Sequence, residues 1–190
     1  MKKQHLDRIL KIRLPITIAV IILSAGLTFL ISKSERDTVG YEPIQPIKFS
    51  HQLHAGQMKV DCKYCHTGVD KSRHAGIPSA SICMNCHSVA RRDRPEIQKL
   101  VKYYDEGKPI PWKRIHKVPD YAYFNHSSHV LKGINCAHCH GDIANMEVVS
   151  QKHSFRMGAC IDCHRNAHKV LPELGDKIKN GPVTCTNCHR

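Results

Sequence analysis

Every cysteine in this 190-residue chain belongs to one recurring pentapeptide. The copies are Cys62-Lys63-Tyr64-Cys65-His66, Cys83-Met84-Asn85-Cys86-His87, Cys136-Ala137-His138-Cys139-His140, Cys160-Ile161-Asp162-Cys163-His164 and Cys185-Thr186-Asn187-Cys188-His189. Two thiols three positions apart, followed at once by a histidine, form the pattern that bonds one haem through its vinyl groups and offers an imidazole to its iron. Five copies predict five covalently attached haem c groups. Cys62 and Cys65, Cys83 and Cys86, Cys136 and Cys139, Cys160 and Cys163, and Cys185 and Cys188 would carry them, with His66, His87, His140, His164 and His189 as proximal ligands.

Other uses of ten cysteines fit poorly. Disulfides have no need of a histidine after each pair. Structural zinc sites combine motifs into four-ligand sets, and five copies do not pair off. A thioredoxin-like C-x-x-C opens a helix after a strand, and no βαβ pattern surrounds these motifs. Composition points the same way: hydrophobic residues make up 41% of the chain, aromatics 6%, and there is one tryptophan. That is too little for a conventional apolar core, so the macrocycles are expected to fill most of the interior and the haem-free chain to be largely unfolded.

Ten histidines lie outside the proximal positions, and one of them, His5, precedes a long apolar stretch and cannot serve. The sharpest candidates for the opposite faces of the irons are the two F-x-H-x-x-H segments, Phe49 to His54 and Phe124 to His129. Histidines three apart share a helical face and can reach two different irons. His51, His54, His126 and His129 are therefore expected distal ligands. The fifth is expected to be His116, in the Trp112–Asp120 connector, with Met157 as an alternative whose thioether would raise the potential of its haem. His74, His138, His153 and His168 are lesser alternatives. Lys71, Arg73, Arg91, Arg92 and Arg165 are candidates for pairing with propionates. If each iron is held on both sides there is no seat for a substrate, which predicts electron transfer and no catalytic residue. Reductases of small oxyanions or hydroxylamine need a vacant axial position.

The elements that must position these residues are few. Residues 14–31 are eighteen positions without a charge, about 27 Å as a helix, enough for one membrane crossing. Lys2, Lys3, Arg8, Lys11 and Arg13 precede them against only Asp7, which predicts a cytoplasmic N-terminus and an exported haem domain. The stretch exceeds a usual signal-peptide core and no small-x-small cleavage site follows, so a retained anchor is expected. The predicted organisation is a cytoplasmic basic segment (1–13), the anchor (14–31), a Pro-containing tether (32–48), a first dihaem module with connector (49–118), and a second dihaem module carrying the fifth haem (119–190). The two F-x-H-x-x-H openings lie 75 residues apart, and motif starts are separated by 21 residues in one module and 24 in the other. This spacing reads as an internal duplication. The expected fold is mostly irregular with short α-helices, among them 81–90 and 159–170, and almost no strand. The formal charge of +13 is largely compensation for ten propionates, leaving about +8 with ferric and about +3 with ferrous irons. No basic patch is left over for nucleic acid.

Beyond the motifs, the linking segments resemble one family. His74-Ala75-Gly76-Ile77-Pro78 running to Cys83, Trp112 to His116 followed by Pro119-Asp120 and Tyr123-Phe124-Asn125-His126, and Phe155-Arg156-Met157-Gly158 are similar to the pentahaem cytochrome c subunit of alternative complex III, a quinol:electron-acceptor oxidoreductase. The resemblance implies class III or c7-like multihaem modules behind one transmembrane helix in the bacterial inner membrane, with the haems on the periplasmic side. It implies a relay subunit with no independent catalytic site. Electrons would come from integral membrane subunits through an iron–sulfur subunit and leave to a periplasmic carrier cytochrome or terminal oxidase. It maps the family's haem-ligating histidines onto His66, His87, His140, His164 and His189, and some members pair a histidine with a methionine, which adds weight to Met157. The alternative is a membrane-anchored quinol dehydrogenase cytochrome feeding a periplasmic reductase; a third possibility, a diffusible cytochrome, would require the anchor to be cleaved.

Overall fold

A computed structural model of the chain describes residue 7 and residues 9–189, with backbone alone for 33–37. Lys2, Lys3 and Arg8 of the basic leader lie outside the described residues. The chain divides into two units, residues 1–38 and 39–190.

The first unit is a wide π-helical turn, Ile9–Arg13, running into helix α1, Leu14–Asp37. Pro15, which has no N–H to donate to the preceding turn, lies just after this wide turn. The polar side chains inside the apolar run satisfy themselves locally. Thr17 donates its hydroxyl to the Arg13 carbonyl, Ser24 to Ile21 and Ser32 to Phe29. The span from Ile9 to Ser32 is 24 residues, with none of its apolar window buried in the protein, so this helix is long and apolar enough to cross a membrane.

The second unit is a succession of short helices with no strand among the described residues. They are α2 (Cys62–Cys65), α3 (Ala80–His87), α4 (Pro95–Asp105), α5 (His126–Val130), α6 (Cys136–His140), α7 (Met157–Arg165), α8 (Ala167–Val170) and α9 (Cys185–Cys188). All but α4, α5 and α8 contain both cysteines of one motif. A single helical turn brings residues i and i+3 to the same face, which sets the two thiols of each motif side by side. The helix expected over 81–90 is α3, and that over 159–170 is broken into α7 and α8 at Asn166, whose backbone leaves helical geometry at φ −127° and ψ 33°.

The conventional core is small. Among the described residues, Ile47, Val69, Leu100, Ala167, Leu171 and Ile178 are the buried apolar ones, and of these only Ala167, Leu171 and Ile178 form a cluster, edged by Ile134, Cys163 and Leu174. That cluster sits behind the fourth motif. The first three motifs have no comparable apolar support among the described residues.

Candidate haem-binding sites

Two of the motif helices are capped by the residue that precedes them. Asp61 caps α2 by accepting the Lys63 amide at 2.7 Å, and Asn135 caps α6 by accepting the Ala137 amide at 2.9 Å. Asn125 does the same for α5, taking the Ser127 amide at 3.0 Å. Such a cap fixes where a helix of four or five residues begins, and hence where its histidines and thiols point.

The histidine rings are held by a shared device. His66 donates its ring Nδ1–H to the Gly76 carbonyl at 2.7 Å, His87 to Ala90 at 3.0 Å, His164 to Pro182 at 2.7 Å and His189 to Tyr121 at 3.0 Å. In the F-x-H-x-x-H segments, His54 donates to the Ser50 carbonyl at 2.8 Å, His129 to Asn125 at 2.7 Å and His126 to Arg73 at 2.9 Å. Spending Nδ1 on a carbonyl fixes the tautomer and leaves the Nε2 lone pair for a metal. These carbonyl partners carry no sequence signature, since any residue supplies a carbonyl.

Phenylalanine sets the ring orientation. Phe49 stacks on His54 with centroids 4.4 Å apart and meets His51 edge-on at 4.9 Å. Phe124 repeats this on His129 at 4.6 Å and His126 at 4.8 Å. His51 and His54 begin a wide π-helical turn, Gln52–Gln57, whereas His126 and His129 lie on the regular helix α5. The same side-chain placement is thus reached by two backbones.

Across the chain, motif and non-motif rings face each other at a characteristic separation. The centroids of His54 and His87 are 6.1 Å apart, those of His129 and His164 6.1 Å, and those of His126 and His140 6.4 Å with the rings nearly parallel. Two imidazole–metal bonds of about 2 Å each, plus a ring radius of about 1 Å at either end, separate trans imidazole centroids by about 6 Å. The donor set therefore fits an iron between each pair. His51 is the remaining member of its segment, and Phe49 meets its ring edge-on. By the duplication it corresponds to His126, and His66 to His140.

Burial keeps these rings neutral, the form that binds metal. It pushes the His140 imidazole down to about 3, with the nearby His116, His126, His66 and His153 rings adding to the effect, and His51 down to about 4, assisted by His66, His54 and His116. His116 and His129 are lowered for the same reason. The thiols of Cys62, Cys65, Cys83, Cys139, Cys160 and Cys163 are raised, first by burial.

The other candidates are placed differently. His116 lies edge-on to His140 with centroids only 4.4 Å apart, a packing contact with no room for an iron between them, and 5.8 Å from Phe155. His138 points away from its own motif: its Nε2 meets the Val170 carbonyl at 2.8 Å, and its Nδ1 lies 3.9 Å from the Glu173 carboxylate. His74, His153 and His168 are exposed. Met157 opens α7, one turn before Cys160 and on the same face. Of the candidate propionate partners, the Arg73 guanidinium lies over the Tyr123 ring at 4.7 Å, and Arg92 donates to the Ser88 carbonyl at 3.1 Å.

One glycine is dictated by this arrangement. A Cβ at Gly181 would lie 2.6 Å from Cγ of His164, inside the ring's contact distance. Gly181→Ala is expected to displace the His164 ring, cost about 1–3 kcal/mol through overpacking, and change the ferric EPR g-values of one haem while leaving the others in place. An unchanged spectrum and melting temperature would refute the constraint.

Two family models match parts of the chain. A model of the class III cytochrome c family matches residues 29–110, and a model of cytochrome c7 and related cytochromes c matches residues 122–190. The multihaem cytochrome c subunit of menaquinone reductase from Nitratidesulfovibrio vulgaris strain Hildenborough is 30% identical over 167 residues, covering 77% of this chain and 77% of that protein. Members of these families carry covalently bound haem c, which agrees with the thiol and imidazole donors described above. The chain is a multihaem cytochrome c of the class III and c7 kind, in the family to which that menaquinone reductase subunit belongs.

Proposed function

We propose that this chain is a membrane-anchored pentahaem cytochrome c that relays electrons within a quinone-linked membrane complex. The observation that carries the reading is the facing of histidine rings at 6.1–6.4 Å, with the motif histidines His87, His140 and His164 each opposite one from an F-x-H-x-x-H segment. Haem iron ligated on both sides supplies reversible one-electron chemistry without a substrate position. The protein's own contribution is to orient the rings. Backbone carbonyls fix the tautomers of seven rings, Phe49 and Phe124 fix the ring planes, and burial favours the neutral form of His51, His129 and His140.

In this reading His66 pairs with His51, His87 with His54, His140 with His126 and His164 with His129. For the fifth distal position the reading keeps His116, whose Nε2 is buried without a hydrogen-bond partner and so has its lone pair available, over Met157, which is 64% exposed. His116→Ala is then expected to turn one low-spin haem high-spin, visible in the ferric EPR spectrum, whereas Met157→Ala leaves every haem low-spin. The reverse pattern would move the fifth position to Met157.

The apolar helix supports an anchor, and the basic leader supports a cytoplasmic N-terminus with the haem unit on the periplasmic side of the inner membrane. The linking segments favour the cytochrome subunit of alternative complex III, receiving electrons from quinol-oxidising membrane subunits through an iron–sulfur subunit and passing them to a carrier cytochrome or oxidase. A second reading has a specific observation behind it: the relative is named for reduction of menaquinone, so the same relay would run toward the quinone. Purifying the intact assembly from membranes and adding menaquinol without oxygen separates the two. Rapid haem reduction with co-purified iron–sulfur and integral membrane subunits supports the first. Haems that ignore menaquinol, yet are reoxidised by menaquinone after reduction by a soluble cytochrome, support the second. A protein that purifies alone and exchanges electrons with neither quinone form ends both.

A further inference from the structure

We infer that the five attachment motifs form a single file in space whose order differs from their order in sequence: second, first, third, fourth, fifth. The inference rests on the haem-relay reading above. It makes the motif at Cys83 and the motif at Cys185 the two ends, and the motifs at Cys62 and Cys136 the internal links.

Each junction has its own contact. First and second motifs are joined by the Tyr64 hydroxyl, which accepts a hydrogen bond from the Asn85 side-chain amide at 2.9 Å, and both histidines of the Phe49 segment lie here, His54 facing His87. First and third motifs are joined by the loop at 72–76. Its Gly76 carbonyl holds the ring of His66 and its Arg73 carbonyl holds the ring of His126, which faces His140. The Ser127 amide also donates to the Ser72 carbonyl at 3.1 Å, and Cys62 and Cys136 line one cleft. Third and fourth motifs are joined by α5, which carries His126 toward His140 and, one turn on, His129 toward His164. Fourth and fifth motifs are joined by the segment at 181–182, where the Gly181 amide donates to the His164 carbonyl at 2.8 Å and the Pro182 carbonyl accepts from its ring, three residues before Cys185.

The duplication provides an internal check. His54 faces His87 in the first module as His129, its counterpart, faces His164 in the second, so each module joins its two motifs in the same way. Cys62 and Cys136, which line one cleft, also correspond, so the modules meet through equivalent residues, as two copies related by a two-fold axis would. A head-to-head meeting of this kind turns the first module around and puts its second motif at the outer end. Only the fifth motif leaves room for a different branch. It is tied to the fourth through residues 181–182, and to the segment before α5 through the Tyr121 carbonyl, which holds His189, and the Tyr123 amide, which donates to the Cys188 carbonyl at 2.7 Å.

The test is the structure of the detergent-solubilised, full-length holoprotein, with the irons located by anomalous scattering and each haem identified by its thioether bonds. The expected result is four shortest iron–iron separations linking second to first, first to third, third to fourth and fourth to fifth. A second-motif haem closer to the third than to the first, or a fifth-motif haem closer to the third than to the fourth, overturns the order. The same map shows the axial ligands, so histidines on both sides with a different order would leave the ligation reading standing, and irons lacking a second protein ligand would sink that reading whatever the order.

Discussion

Made without haem, with all ten cysteines replaced by alanine, the chain will not fold beyond its apolar helix: far-ultraviolet circular dichroism of residues 39–190 will melt without a cooperative transition. The physical reason is the shortage of buried apolar surface. Burying one aliphatic side chain contributes about 1.5–3 kcal/mol, little more than the about 1–2 kcal/mol needed to order the backbone of one residue. Six buried apolar residues, three of them in one cluster behind the fourth motif, cannot hold a unit of this length. Two histidines make the deficit worse, since His140 and His51, pushed down to about 3 and about 4, are buried polar groups whose Nδ1 finds no hydrogen-bond partner. A sharp, reversible melt of the cysteine-free chain with helix content matching the holoprotein would mean that side chains alone make the core.

Replacing His129 by alanine should have the largest effect of any single distal change. Its ring faces His164 at 6.1 Å, stacks on Phe124 at 4.6 Å and is pinned to Asn125 at 2.7 Å, so three constraints end on one side chain. The expected result is conversion of one haem from low-spin to five-coordinate high-spin, with rapid cyanide and carbon monoxide binding that the parent protein lacks. His129→Met should keep that haem six-coordinate and raise its potential, within the range of about 0.8 V that axial ligands span. The neighbouring His126–His140 pair shares Phe124, so its EPR signal should shift slightly while staying low-spin. If His129→Ala leaves every haem low-spin and closed to cyanide, the pairing of His129 with His164 is wrong. Alanine at His138 serves as the control, because both nitrogens of that ring are already engaged by Val170 and Glu173.

Much of this protein is local and therefore legible in its residue string. Two thiols and an imidazole within five positions specify covalent haem attachment, because the bonds they make span one helical turn. An uncharged run of eighteen residues specifies a helix able to cross a bilayer, and poverty in aromatics with repeated short punctuated segments specifies a helical, strand-poor fold, while the class III kind is implied only by the resemblance of the linking segments. The F-x-H-x-x-H openings also stand out, because their spacing is a helical period.

What only tertiary structure decided is which ring meets which, since those contacts join residues far apart in the chain. The spacing of His126 and His129 does not say that one faces His140 and the other His164, nor that the carbonyl fixing His126 belongs to Arg73, 53 residues earlier. His116 and His138 look as suitable as any other histidine in the sequence. The first is packed at 4.4 Å against His140 with its Nε2 buried and without a hydrogen-bond partner, whereas a carbonyl 32 residues away takes the Nε2 of the second. A ring nitrogen becomes a ligand or a spectator according to what its other nitrogen touches, and in most of these rings that partner is a backbone carbonyl, which every residue carries and no sequence marks.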